Sequence, residues 1–98
     1  MEELTESQLK ATGRALRSLL SSRGISVKSA ATRKMWAYTL LGHPRFESLV
    51  AQARAEGYIE VRPDPERMCE WAQAHQKEIT MELASELLFK LRRIAYQQ

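Results

Sequence analysis

The acidic side chains of the C-terminal third have a spacing at which carboxylates could do chemistry. Glu78, Glu82 and Glu86 recur every four residues, so on a helix they would lie one turn apart, as paired acid and base groups can. The run leads to Lys90 and lacks a histidine partner at metal-binding spacing. A solvated face joined by ion pairs therefore explains these carboxylates more simply than catalysis does.

The two histidines and the single cysteine are the other side chains with catalytic potential. His75 falls on an apolar stripe, where a core or interface histidine is expected more often than a base or a ligand. His43 lies beside Pro44 and is expected to be a solvated turn residue or a phosphate contact. Cys69 has no second cysteine for a disulfide or a metal site, so we expect a buried or half-buried thiol. Without a phosphate loop or a nucleophile elbow, we expect no enzyme, no cofactor and no metal.

The cations are distributed unevenly and could bind an anionic partner. The net charge is only +3, yet the chain between Glu6 and Glu47 has eight basic residues and no Asp or Glu. The eight are Lys10, Arg14, Arg17, Arg23, Lys28, Arg33, Lys34 and Arg45. From residue 63 onward six acids oppose five bases, so the positive potential belongs to the N-terminal half. A solvated basic face and an anion-binding surface both fit; the forty acid-free residues favour the second.

Capping and stop signals predict the helices that would carry these side chains. Thr5-x-x-Gln8 is a capping box, and Gly57 and Asp64-Pro65 are helix stop and start signals. The predicted helices span residues 5–23, 27–41, 44–56 and 65–96. A chain of 98 residues buries one core. We therefore expect an all-α fold, a compact bundle of four helices in one domain of residues 1–98.

The last predicted helix is long for so small a domain. No glycine or proline interrupts its apolar stripe after Pro65, which predicts about 30 residues and a length of roughly 45 Å. One end would be uncovered in a monomer, so we expect a homodimer or a partner helix there. The predicted interface residues are Leu87, Leu88, Leu91 and Ile94. A break near AHQKEIT, residues 74–80, would instead give a helical hairpin.

Residues 49–65, LVAQARAEGYIEVRPDP, contain one short extended segment, residues 58–62, without an obvious partner strand. The stretch resembles the end of the recognition helix and the start of the wing in winged helix-turn-helix repressors of the multiple-antibiotic-resistance type. The matching residues are Leu49, Val50, Ala53, Gly57, Tyr58, Ile59, Asp64 and Pro65. The resemblance implies that residues 44–56 form a DNA-recognition helix.

The resemblance also implies which side chains would contact DNA. Arg45, Ser48 and Gln52 would face the groove, where Arg and Gln can bond guanine and adenine edges. Arg62 would approach a phosphate from the wing, and the upstream cations would contact phosphates, which position a protein without specifying sequence.

Two function classes follow from these observations. We expect a small basic helical protein that binds nucleic acid, with DNA binding and regulation as the form that the resemblance implies. The alternative is a non-enzymatic interaction module, an adaptor or inhibitor that docks on an acidic surface of a larger assembly.

The acidic start lacks signal-peptide features, and no apolar run approaches the roughly 20 residues of a membrane span. We therefore expect a cytoplasmic location and no membrane partner.

Overall fold

The computed structural model describes residues 2–42 and 45–97 and contains, in those ranges, five helices and two short strands. The elements in chain order are β1 (Glu2–Leu4), α1 (Glu6–Ser22), α2 (Ser29–Leu41), α3 (Phe46–Glu56), β2 (Ile59–Val61), α4 (Pro65–Ala74) and α5 (Met81–Tyr96). The predicted roles of His43 and of Pro44 as a helix start lie outside the described residues. The fold is mostly helical, as predicted, but it has five helices rather than four.

The predicted capping box of the first helix and the glycine end of the third are confirmed, whereas the second helix starts at Ser29 rather than at residue 27. The Thr5 hydroxyl accepts a hydrogen bond from the Gln8 N–H at 3.2 Å, and Gln8 Oε1 accepts one from the Thr5 N–H at 2.8 Å. Gly42 and Gly57 end α2 and α3 with φ angles of 74° and 89°. These are left-handed conformations that a side chain disfavours.

The prediction of one helix over residues 65–96 is wrong, and the break near residues 74–80 is confirmed. After α4 the Lys77 N–H donates to the Ala72 carbonyl at 2.8 Å and the Gln76 N–H to the Gln73 carbonyl at 3.3 Å. This is the Schellman pattern that closes a helix. Gln76, with a φ of 55°, occupies the left-handed position at which glycine is usual. The Thr80 hydroxyl then caps α5 by accepting from the Leu83 N–H.

The extended segment has a partner strand, which the sequence did not reveal. β2 pairs antiparallel with β1, with Leu4 opposite Ile59 and Glu2 opposite Val61. Leu4, Ile59 and Val61 are buried, so the small sheet closes one side of the core. The strand β1 is only three residues long, too short for alternation to stand out among the acids around it.

The segment after β2 docks on the C-terminal end of α2. The Arg62 N–H donates to the Leu40 carbonyl at 2.9 Å, and the Asp64 N–H donates to the Thr39 carbonyl at 3.1 Å. The Arg67 guanidinium bonds both carbonyls as well. These bonds satisfy carbonyls that a helix end leaves without partners. They lead the chain directly from the sheet into α4.

The interface residues predicted from an uncovered helix end lie inside a single chain. Leu87, Leu88 and Leu91 are buried and Ile94 packs against the same continuous cluster of buried apolar residues. Because α5 has 16 residues, it fits a molecule 35 Å in its longest dimension. The argument for an exposed apolar end at these four residues is therefore wrong. No helix in the described part of the chain combines the length and apolar character that crossing a bilayer requires.

Candidate anion-binding groove

An open groove of about 960 Å³ lies between α1, the first turn of α2 and the outer side of α3. Its charged lining residues are Lys10, Arg14 and Arg17 from α1, Arg33 from α2, and Glu47 and Arg54 from α3. Five cations therefore surround one carboxylate. We call this surface, with its apolar floor described below, the basic groove.

Helix α1 aims its three cations into the groove because its opposite side is held in the core. Leu9 and Leu16 are fully buried, which fixes the rotation of the helix about its axis. Lys10, Arg14 and Arg17 follow one another at about one-turn intervals, so they project in a row along the adjacent side. All three side chains are exposed.

Arg17 connects the two helices on one side of the groove. Its Nε donates to the Val27 carbonyl at 3.3 Å, and its Nη1 donates to the Ser29 hydroxyl at 3.1 Å. Ser29 is the first residue of α2, whose N-cap residue, Lys28, makes no side-chain capping bond. The positive end of the α2 dipole therefore adds to the potential of the cations beside it. Arg17 has a structural role in addition to its charge.

Three groove cations lack a carboxylate partner in the described ranges, and because Arg17 bonds Val27 and Ser29, Arg14 and Arg33 are the two that are left without such contacts. Both side chains are exposed. Within the described ranges, neither guanidinium lies within ion-pairing distance of a carboxylate. An arginine in this condition can offer its planar set of N–H donors to a phosphate or carboxylate of a ligand.

Glu6 partly neutralises the other end of the groove. Its carboxylate lies 2.7 Å from Arg54 Nη2 and 2.9 Å from Lys10 Nζ, and it thereby joins α1 to α3. The hydrogen bonds from Arg54 and then Lys10 lower the pKa of Glu6 from 4.5 to about 2. Glu6 is therefore ionised throughout the neutral range and competes with any anionic ligand for these two cations.

The floor of the groove is apolar and lacks an exposed aromatic face. Phe46 is buried, Val50 is half-buried and Ala51 is exposed. Phe46 reaches α1 at Gly13, where an added Cβ would lie 3.6 Å from the Phe46 Cζ atom. The ring is therefore packed against the helix and is not offered to a stacking base.

The predicted DNA-contacting residues lie on a different side of α3 from the residues that line the groove. Phe46, Leu49 and Ala53 face the core, whereas Glu47 and Arg54 line the groove. The predicted contact residues Arg45, Ser48 and Gln52 are exposed and lie on a third side of the helix. The structure therefore contains two separate candidate surfaces where the sequence predicted one.

Of the eleven residues predicted to bind an anion, four line the groove, namely Lys10, Arg14, Arg17 and Arg33. Arg23 instead pairs with Glu86. Lys28, Lys34 and Arg62 are exposed outside it. The sequence prediction missed Arg54, because this residue follows Glu47 and so lies outside the acid-free run. Helical spacing from Glu47 through Val50 to Arg54 was the signal that could have found it.

The other side chains with catalytic potential are not gathered into a site. His75 is exposed at the end of α4 and stacks on Trp71, with ring centroids 3.8 Å apart. Its predicted place on a buried stripe is wrong, because the helix ends there. Burial raises the pKa of the Cys69 thiol, which lowers its reactivity as a nucleophile. Among the described residues no group of three or more His, Cys, Asp or Glu side chains could hold a metal ion.

No family model, curated protein or solved structure matches this chain. The case for a function therefore rests on the groove residues and their surroundings.

Proposed function

We propose that this protein binds nucleic acid and that the basic groove contacts the phosphate backbone. The observation that carries the proposal is the convergence of five cations from three helices on one groove. Four of them come from the acid-free segment, and only one carboxylate, Glu47, stands among the lining residues. Phosphate contacts supply most of the affinity of non-specific nucleic-acid binding.

The chemistry proposed for the groove is charge-assisted hydrogen bonding. Arg14 and Arg33 would each bond phosphate oxygens, and Lys10 and Arg54 would join when Glu6 releases them. The buried Phe46 ring offers no stacking surface, so bases would contribute little. Such contacts position a protein on nucleic acid without specifying sequence.

Sequence-specific regulation would require the other side of α3. If the resemblance of residues 49–65 to winged helix-turn-helix repressors extends to function, then Arg45, Ser48 and Gln52 would contact base edges and Arg62 a phosphate. The strand that follows α3 pairs with residues 2–4 and leads into α4. The more specific form of the proposal is therefore a cytoplasmic protein that binds DNA and has a regulatory role.

A second candidate is supported by the groove floor. Val50 and Ala51 give the floor apolar area between the cations, and an amphipathic acidic segment of another protein could bury its apolar side there. Such a partner would make the protein an adaptor or inhibitor. In this case affinity would depend on the floor as well as on the charges.

The deciding experiment measures binding to a random duplex of roughly 20 base pairs, about two helical turns, and to one of its strands. Titrations at several salt concentrations should give a log–log slope of roughly −3 to −4.5 on duplex, for three to five phosphate contacts. An acidic amphipathic peptide serves as the probe for the second candidate. Absence of binding to duplex and single strand at low salt would overturn the nucleic-acid proposal.

Matched variants separate the two surfaces and the two candidates. Arg14→Glu with Arg33→Glu should weaken binding by roughly 100-fold or more, whereas Arg45→Glu with Arg62→Glu, an equal change in charge, should leave most of it. The reverse result would favour the winged-helix type of contact. Val50→Ser should leave binding to nucleic acid unchanged but weaken binding of the peptide.

A further inference from the structure

The outer face of α5 is an unpartnered surface on the opposite side of the helix from its buried leucines. Helical spacing places Glu82, Ser85, Phe89, Arg93 and Tyr96 in one row along it, and all five are exposed. Phe89 and Tyr96 have 60% and 74% of their surface exposed. An exposed row with two large aromatic side chains is typical of a protein contact.

The charges of the outer face are separated along the helix. Glu82 lies in the first turn and Arg93 in the last. In the described part of the chain neither is within ion-pairing distance of an opposite charge. The Arg93 guanidinium lies 5.9 Å from the centroid of the Phe89 ring, which holds the arginine beside the aromatic centre of the row.

We propose that a second copy of this chain packs on the outer face with the two α5 helices antiparallel. A two-fold axis near Phe89 would bring Glu82 of each copy within about one helical turn of Arg93 of the other. Both unpaired charges would then find partners, and the two Phe89 rings would meet near the axis. Ser85 is small enough to let the helices approach closely.

The charge pattern selects this occupant and this orientation. In a parallel pair the two Glu82 side chains would face each other, as would the two Arg93 side chains, which is unfavourable. A nucleic acid would be repelled at Glu82. A contact made by one helix per copy should bury less than the roughly 1,200 Å² typical of stable interfaces, so we expect a weak dimer that depends on concentration. This inference is independent of the proposed function of the groove.

The test is sedimentation equilibrium of the full chain over a concentration series. The apparent mass should rise from 11.3 kDa toward twice that value. Glu82→Arg alone and Arg93→Glu alone should each weaken association by roughly tenfold, because the two-fold axis applies each change twice. The double variant, Glu82→Arg with Arg93→Glu, should restore it.

Each outcome of these measurements supports or overturns the proposed dimer. Monomer mass at every concentration up to about 1 mM overturns the proposal, and association that both single variants leave unchanged overturns the antiparallel arrangement. Phe89→Glu should abolish the dimer, and because Phe89 is exposed, the circular dichroism spectrum and melting temperature of that variant should match those of the parent chain. The same two measurements on the single charge variants would show whether either variant has lost helix.

Discussion

The basic groove and the C-terminal hairpin of α4 and α5 contain the same types of charged residue but differ in how the cations are paired with carboxylates. In the hairpin three of the five cations are paired, Lys90 with Glu86, Arg92 with Glu2 and Arg67 with Asp64, and the two others, Lys77 and Arg93, do not share a groove. In the groove Arg14, Arg17 and Arg33 have no carboxylate within ion-pairing distance among the described residues. Net charge does not reveal this difference. Uncompensated cations held together by a folded core point to a ligand, whereas paired cations contribute to the fold.

The largest expected effect on nucleic-acid binding comes from reversing two charges in the basic groove. Arg14→Glu with Arg33→Glu should weaken duplex binding by roughly 100-fold or more. It should leave the free energy of unfolding unchanged or slightly higher, because it reduces repulsion among the groove cations. Filter binding or fluorescence anisotropy measures the first quantity and urea denaturation measures the second.

The matched change in the hairpin should have the opposite profile. Lys90→Glu with Arg92→Glu breaks two exposed ion pairs and should lower the free energy of unfolding by about 1 kcal/mol, while binding falls by a smaller factor than in the groove variant. Equal losses of binding in the two variants would mean that overall charge, rather than the groove, attracts the nucleic acid.

The ends of α3 and α4 show why one part of the fold could be predicted from the sequence and another could not. Gly57 announces the end of α3 because glycine adopts the left-handed conformation without a side-chain penalty. The same backbone conformation ends α4 at Gln76, a residue that gives no such signal. Apolar periodicity continued across the break and predicted one long helix. Leu87, Leu88 and Leu91 do lie on a helix, but they are buried within the chain rather than at an uncovered end.

The groove was predictable only in part for a related reason. The acid-free run located Lys10, Arg14, Arg17 and Arg33 but could not show that α1, α2 and α3 bring them together. Arg54 lies beyond Glu47 in sequence and joins the groove through the packing of α3 on α1. Long-range packing of this kind leaves no local pattern in the chain.

A pair of glycine substitutions sharpens the comparison of the two helix ends. Gln76→Gly should raise the free energy of unfolding by about 0.5–1 kcal/mol, because it removes the side-chain penalty of the left-handed conformation. Gln73→Gly, an exposed position inside α4, should lower it by about 1 kcal/mol. Chemical denaturation measures both. A destabilised Gln76→Gly chain would contradict a left-handed helix end at this residue.

The smallest expected effect on binding concerns Glu6, the carboxylate that pairs with Lys10 and Arg54 at one end of the basic groove. Glu6→Gln frees Lys10 and Arg54, so duplex affinity should rise by roughly three- to tenfold, and the salt dependence should steepen by up to about two phosphate contacts. Glu3→Gln is the control, since Glu3 is exposed and, within the described residues, makes no ion pair. An equal gain in the control would assign the effect to net charge.

The same substitution should change the acid dependence of stability. The pKa of Glu6 is about 2 in the folded chain and 4.5 without its partners, so its ion pairs contribute stability above pH 4.5 that is lost as the pH falls toward 2. In Glu6→Gln this contribution is absent at every pH. The melting temperatures of the parent chain and the variant should therefore differ at pH 6 and converge near pH 2, whereas Glu3→Gln should follow the parent. A difference that persists unchanged to pH 2 would show that Glu6 acts through packing, and that Lys10 and Arg54 are not held by its charge.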